Sequence, residues 1–220
     1  MFQLPRLTKL IKILIVVNVV FWIIEVILLR TSFSSYVTSL FLYPNQVLSG
    51  KIWQLLTYAF FHSPSNIFHL ILNMAVLYFF SYDLESKWGE KKFIFFYSFS
   101  ALIGGIFVVL EGAFLIRSHY YIPTLGASAS IFALTTAFAL TYPQREIYFF
   151  FVPIKSKYLI HIDLAIITLS YLSISQSDIS NAAHLGGMAG AFLLLKVPWF
   201  KLMKKTYKRE KAVDYLRRIK

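Results

Sequence analysis

The chain has 220 residues, of which 58% are hydrophobic and only 15% are charged, and its formal net charge is +12. Soluble domains carry about 25% charged residues, so this composition, with a mean hydropathy of +0.64, indicates a membrane protein. Cysteine is absent, which excludes disulfides, thiolate metal sites and a cysteine nucleophile. The positive charge does not indicate nucleic-acid binding, because the basic residues lie between and after hydrophobic runs, as membrane topology requires.

Six apolar runs are candidates for membrane-spanning helices. A helix needs roughly 20 apolar residues to cross the hydrocarbon core, and somewhat fewer where the bilayer thins. The runs cover residues 10–29, 67–82, 93–111, 126–142, 158–174 and 182–197. The first, third and sixth are clear, whereas the others are short or interrupted by polar residues. The sequence therefore predicts an all-α membrane protein, a bundle of six transmembrane helices.

The distribution of basic residues predicts the orientation of these helices. If the six runs cross the membrane, all but three of the 22 lysines and arginines fall on one side. The three on the other side are Arg30, Lys51 and Arg117. The positive-inside rule then places both termini in the cytoplasm. The first run is too long for the apolar core of a signal peptide and lacks a convincing cleavage site, so none is expected.

The sequence predicts three parts: a cytoplasmic tail at residues 1–9, a membrane domain at residues 10–197 and a basic tail at residues 198–220. The last tail interleaves apolar and cationic side chains, which is typical of an amphipathic helix held by anionic lipid. The first outer loop, residues 30–66, is rich in aromatic residues and is expected in the interfacial zone, as an aromatic belt, a lateral gate or a substrate platform. Composition favours a bacterial plasma membrane, and the oligomeric state stays open.

Residues 125–132, Leu-Gly-Ala-Ser-Ala-Ser-Ile-Phe, are the stretch around which the functional prediction is organised. The pattern predicts a loop that turns into a helix, with Ser128 in the first turn. The first N–H groups of a helix lack partners and can bind an oxyanion, and small neighbours let another backbone come close. Taken alone this pattern is weak, because serine and alanine commonly pack membrane helices.

Other polar residues fall at a similar depth in the predicted bundle. His69 and Asn73 are four residues apart and share one face of the second helix, and Asn181 and His184 open the sixth. Polar residues inside a membrane are costly and usually functional. Ser128 is the candidate nucleophile and His184 its base. His69, Asn73 and the Ser128 N–H are candidate donors to an oxyanion.

Each of these residues also has a structural alternative. His69 and Asn73 could form an interhelical hydrogen-bond pair, and the small residues after His184 could serve packing alone. No carboxylate lies convincingly beside His184, because Asp178 falls in the connecting loop, so a Ser–His dyad is favoured over a triad.

Three further groups are expected outside the site. Glu25 is expected to snorkel outward or to pair with another group. His62 and His119 are expected as ordinary solvated histidines of the outer loops. His161 and Asp163 fall at the cytoplasmic end of the fifth helix.

Four ordered motifs resemble the rhomboid family of intramembrane serine proteases. They are residues 53–62 before the second helix, the His-x-x-x-Asn pair His69 and Asn73, the Gly126-Ala127-Ser128 segment, and residues 181–187, which include Asn181, His184 and Gly187. The resemblance covers residues 52–195. It implies the six-helix rhomboid fold, a Ser128–His184 dyad, no cofactor or metal, and cleavage of transmembrane substrates near their outer ends. It also implies that Phe132 packs on the histidine.

One departure from the family pattern concerns the residue after the nucleophile. The family motif usually reads Gly-x-Ser-Gly, and Ala129 replaces its second glycine. A misplacement of about 1 Å can cost on the order of a hundredfold in rate, so we expect retained but slower activity. The alternative is a catalytically inactive rhomboid-like protein that binds or escorts transmembrane segments. A small-solute transporter is a distant third, since no inverted repeat or charged pathway is visible.

Overall fold

The computed structural model of the chain describes residues 7–149, 151–172, 180–198 and 200. Most of the predicted tails, residues 1–6 and 201–220, lie outside the described residues, and so does the predicted lipid contact of the C-terminal tail. The helices are α1 (Lys9–Leu28), α2 (Ser34–Thr38), α3 (Pro44–Leu48), α4 (Gln54–Thr57), α5 (Ile67–Trp88), α6 (Glu90–Leu110), α7 (Ser128–Thr141), α8 (Leu159–Leu172) and α9 (Asn181–Lys196).

Three of these helices are long and apolar enough to cross a membrane: α1, α5, and α6 with the π-helical turn that extends it to Leu115. Helix α7 is apolar and shorter. The chain is therefore a helical membrane protein. The sixth run, which sequence ranks among the clear spans, forms a helix of only 16 residues that starts at a Ser180 cap.

Helix α5 is longer than its apolar run predicts. The run ends at residue 82, but the helix continues to Trp88. Two acidic side chains in the added turns find polar partners: Asp83 pairs with Arg145 at 2.7 Å, and Glu85 accepts a 2.6 Å hydrogen bond from Thr8. These contacts explain why a stretch that looks broken by charge continues as helix.

The bundle is tightest where α6, α7 and α9 meet. A Cβ atom on Gly187 of α9 would lie 1.9 Å from the carbonyl oxygen of Ala129 on α7. A Cβ atom on Gly186 would lie 2.8 Å from Cα of Gly104 on α6. The three backbones are thus in direct contact, as small residues allow in membrane helices. We call this three-helix contact the glycine seam.

The first loop is folded rather than extended. It holds α2, α3, α4 and a 3₁₀ turn, and its side chains Val37 and Phe41 pack with Phe61 in a small apolar cluster. Leu42 exchanges two backbone hydrogen bonds with Thr124, at 3.1 and 2.8 Å. The loop is therefore fixed to the segment that leads into α7.

A β-hairpin between α7 and α8 is missing from the sequence-based expectations, which assign this segment to a connecting loop. Strand β1 (Glu146–Phe149) pairs antiparallel with β2 (Val152–Lys155). Ile147 packs against the main apolar cluster of the bundle. The apolar stretch was too short to be separated from a loop or a helix end by periodicity.

Candidate active site

The structure brings Ser128 and His184 together. Ser128 is the first residue of α7, and its Oγ lies 2.9 Å from Nε2 of His184, one turn into α9. The glycine seam makes this distance possible, because Gly187 lies directly against the backbone of Ala129, the residue after Ser128. A neutral imidazole with an unprotonated Nε2 can accept the serine proton at this distance.

The imidazole of His184 is held by stacking. The ring of Phe132 lies parallel to it, with 4.0 Å between centroids and 9° between planes. His184 is buried, with 5% of its surface exposed. Its Nδ1 has no hydrogen-bond partner among the described residues, and Asp178 lies outside them. Stacking on Phe132 and the Ser128 contact are thus the interactions that the structure shows orienting this ring.

His69 lies against Gly126, in the loop of residues 122–127 that precedes Ser128 and that we call the serine loop. A Cβ atom on Gly126 would be 2.7 Å from Cε1 and 2.8 Å from Nε2 of His69, and 3.7 Å from Ser128 Oγ. Gly126 has φ of +127°, a conformation that residues with side chains rarely adopt. Glycine is therefore required here both for the backbone and for the approach of the imidazole.

Asn73 follows His69 by one turn of α5 and is buried, with 5% of its surface exposed. Its Nδ2 has no hydrogen-bond partner among the described residues. Buried amide donors are usually satisfied, so an unpaired one is available to a ligand. Asn181, the first residue of α9, is also buried and leaves Oδ1 unpaired within the described part of the chain.

Ala129, the departure from the family motif, has a counterpart on α6. A Cβ atom on Gly104 would lie 2.5 Å from Cβ of Ala129, so the methyl of Ala129 fills the space that Gly104 leaves open. Ala129 is almost fully buried. The extra methyl is accommodated by the third helix of the seam, and Ser128 keeps its contact with His184.

Sequence reasoning missed two supports of the site. The first is Tyr58, whose carbonyl oxygen accepts the Gly126 N–H at 3.0 Å and whose hydroxyl donates to the Ala101 carbonyl at 2.8 Å. In the sequence, the stretch that contains Tyr58 stands out only by its resemblance to the family, and no local pattern indicates that the backbone of a tyrosine holds the serine loop.

The second missed support is the pair Glu25 and His62. His62 is fully buried, so its predicted solvation in the outer loop is wrong. Burial and the neighbouring His69 lower the pKa of His62 to about 3, and its ring is neutral. Glu25 is also fully buried, and its carboxyl group accepts the backbone N–H of His62 at 3.0 Å, so it pairs inward. His161 and Asp163 stay outside the site, with Asp163 accepting a 2.6 Å hydrogen bond from Thr135.

Comparison with known proteins gives consistent matches. The Rhomboid domain model matches residues 49–199. The chain is 29% identical over 174 residues to RHOMBOID-like protein 12, mitochondrial, of Arabidopsis thaliana, covering 73% of this chain and 49% of that protein. It is 29% identical over 153 residues to the putative rhomboid protease YdcA of Bacillus subtilis, covering 67% of this chain and 68% of that protein.

One relative that matches is named as inactive. The Inactive RHOMBOID-like protein 8 of Arabidopsis thaliana is 31% identical over 87 residues, covering 40% of this chain and 22% of that protein. The chain thus spans about half the length of the plant mitochondrial relative and less than a quarter of the one named inactive.

Proposed function

Because the chain belongs to the rhomboid family, we propose that it is an intramembrane serine endopeptidase with Ser128 as nucleophile and His184 as base. The observation that carries the proposal is the 2.9 Å contact between Ser128 Oγ and His184 Nε2. Serine is inert until a base within hydrogen-bond reach takes its proton.

The reaction follows from the donors and acceptors around Ser128. His184 Nε2 takes the Oγ proton as Oγ attacks the scissile carbonyl carbon, and the carbonyl oxygen becomes an oxyanion. His69, Asn73 and the N–H of Ser128 donate to this oxyanion. His184 then gives the proton to the leaving amine, and an acyl-enzyme remains. Water, deprotonated by His184, hydrolyses the ester in the same way. No step requires a metal or a cofactor.

The topology proposed for this reaction is the six-span one, with both termini in the cytoplasm. All but three basic residues then lie on the cytoplasmic side, and Ser128 and His184 lie near the outer face. Substrates are transmembrane protein segments cut near their outer ends. We further propose that residues 198–220 contact anionic lipid. The bacterial plasma membrane stays a prediction, and the mitochondrial name of one relative does not support it.

The second candidate is an inactive rhomboid-like protein that binds transmembrane segments. The relative named inactive favours it, and so does Ala129 in place of the usual glycine. One observation argues against it. Gly104 leaves room for the methyl group of Ala129, and Ser128 Oγ lies 2.9 Å from His184 Nε2.

A mechanism-based serine-hydrolase probe distinguishes the two candidates. Purified protein in liposomes is incubated with the probe beside Ser128→Ala, His184→Ala and Ala129→Gly variants. Labelling of the wild type that is lost in the first two variants supports the protease. Labelling of Ala129→Gly alone would mean a protease weakened by one methyl group. If neither the folded wild type nor Ala129→Gly is labelled, the result would contradict the proposal and favour the binding protein.

A further inference from the structure

Helix α1 has no part in the proposed reaction, yet it supplies a buried carboxyl group close to the site. We propose that Glu25 is a positioning residue that sets the place of His69 by fixing the turn at the start of α5. The proposal rests on the proposed function only in giving His69 its role in oxyanion binding. Glu25 itself touches neither Ser128 nor His184 in any contact that the structure shows.

The carboxyl group is bound at one oxygen only. Oε2 accepts the backbone N–H of His62 at 3.0 Å, and Oε1 is buried with no hydrogen-bond partner among the described residues. Burying a carboxyl group costs free energy that a single neutral donor does not fully offset. Ionisable residues kept in membrane helices at such a cost usually mark a functional site.

A second contact from α1 reaches the same turn. The indole N–H of Trp22 donates to the carbonyl oxygen of Ser63 at 3.3 Å. The same carbonyl accepts the N–H of Asn66 at 3.2 Å and so closes the turn before α5. Asn66 makes no side-chain cap on α5. The first turn of α5 therefore lacks a cap of its own, and α1 holds the chain just ahead of it.

The held turn is in contact with the His69 imidazole. The rings of His62 and His69 meet edge to face, with 5.2 Å between centroids and 63° between planes. The backbone N–H of His69 donates to the carbonyl oxygen of Asn66 at 3.1 Å. The His69 ring also lies against Gly126. A shift of residues 62–66 thus moves His69 relative to the serine loop.

The activity test uses variants that separate the hydrogen bond from its charge. Glu25→Gln keeps an oxygen that can accept the His62 N–H, whereas Glu25→Leu removes it. We expect Glu25→Leu to slow probe acylation about tenfold, with probe binding little changed, and Glu25→Gln to restore most of the rate. In a His69→Ala background Glu25→Leu should add no further loss, since it acts through His69. Losses that multiply in the double variant would overturn the proposal.

Thr8→Val is the matched control for stability. Thr8 also joins the α1 region to α5 by a polar contact, through its 2.6 Å hydrogen bond to Glu85, and it caps α1. The substitution is expected to lower the unfolding temperature without slowing acylation. A similar slowing in Thr8→Val and Glu25→Leu would reduce the role of Glu25 to general stability and contradict the proposal.

A spectroscopic test does not depend on activity. The chain has five histidines, so histidine-labelled protein gives few NMR signals. Glu25→Leu should shift the imidazole signals of His62 and His69 and leave those of His119 and His161 in place. An unchanged His69 signal would overturn the positioning role. If the wild type never labels but the His69 signal shifts, the protease proposal fails and the positioning role stands.

Discussion

Two regions of the molecule place the candidate catalytic groups by opposite means. The glycine seam brings Ser128 to His184 by the absence of side chains, since Gly187 lies against the Ala129 carbonyl. The contact of α1 with the start of α5 works through buried polar side chains, with Glu25 bound to the His62 N–H. The difference teaches that the seam has no room for a side chain at Gly187, whereas the polar contact should tolerate a substitution that keeps the hydrogen bond, such as glutamine at residue 25.

The largest expected effect is a methyl added to the seam. In Gly187→Ala the new Cβ would lie 1.9 Å from a backbone oxygen, so α7 and α9 must move apart. Displacement of about 1 Å should cost on the order of a hundredfold in probe-labelling rate. Gly190→Ala is the control, because its Cβ would meet Ser100 at an ordinary 3.4 Å. Equal losses in both variants would show that the seam is not specific to residue 187.

The next effect tests the compensation between Gly104 and Ala129. Gly104→Ala should slow labelling strongly, because its Cβ would lie 2.5 Å from that of Ala129. The double variant Gly104→Ala with Ala129→Gly moves the methyl group from α7 to α6 and removes this clash. The other contacts of the new Cβ, 3.0 Å to the Ala183 carbonyl and to the Tyr58 hydroxyl, remain. We therefore expect partial rescue of labelling and of the unfolding temperature. A double variant no better than Gly104→Ala would contradict the compensation.

A moderate effect concerns the ring stacked on His184. Phe132→Leu removes the parallel contact at 4.0 Å. Aromatic pairs contribute about 0.5–1.5 kcal/mol beyond burial, so the labelling rate should fall about two- to tenfold. Phe132→Tyr keeps the ring and should keep the rate. The comparison is made on acylation kinetics, and a loss in the tyrosine variant equal to that in the leucine variant would argue against stacking.

The last effect is on stability rather than on the labelling rate, and it is an acid sensitivity that arises from the buried His62. The pKa of His62 falls from its ordinary 6.5 to about 3 on burial, so between these values the unfolded chain binds the extra proton. The free energy of unfolding should decrease as pH falls through that window, by at most about 1.4 kcal/mol per pH unit. His62→Gln removes this contribution. Unfolding temperatures are measured from pH 7.5 to 4.5 in the wild type and in His62→Gln. An equal decrease in the two proteins would disprove the contribution of His62.

Part of the candidate site could be predicted from the sequence, because its signals are local. The four-residue spacing of His69 and Asn73 assigns them to one helix face, and the small residues after His184 indicate close packing. The predicted topology then places Ser128 and His184 at a similar depth. The family match confirms the rhomboid resemblance, and the site residues stay a prediction.

The polar support could not be predicted, because its partners are far apart in the chain. Glu25 and His62 are separated by 37 positions, and nothing local to either residue indicates the other. The contact between Gly104 and Ala129 could not be predicted for the same reason. The space for the added methyl on α7 comes from the missing side chain of a residue on α6, far away in the sequence. The length of α5 was underestimated because the partners of Asp83 and Glu85 lie in other elements.

The measurement that tests the central claim most directly is the location of the covalent adduct. Wild-type protein labelled with the serine-hydrolase probe is digested, and the modified residue is identified by mass spectrometry. We predict one adduct, on Ser128, that disappears in His184→Ala and persists in Ser130→Ala, because the buried Ser130 hydroxyl is bound to the Tyr97 carbonyl. An adduct on any other residue, or one that survives in His184→Ala, would contradict the proposed dyad.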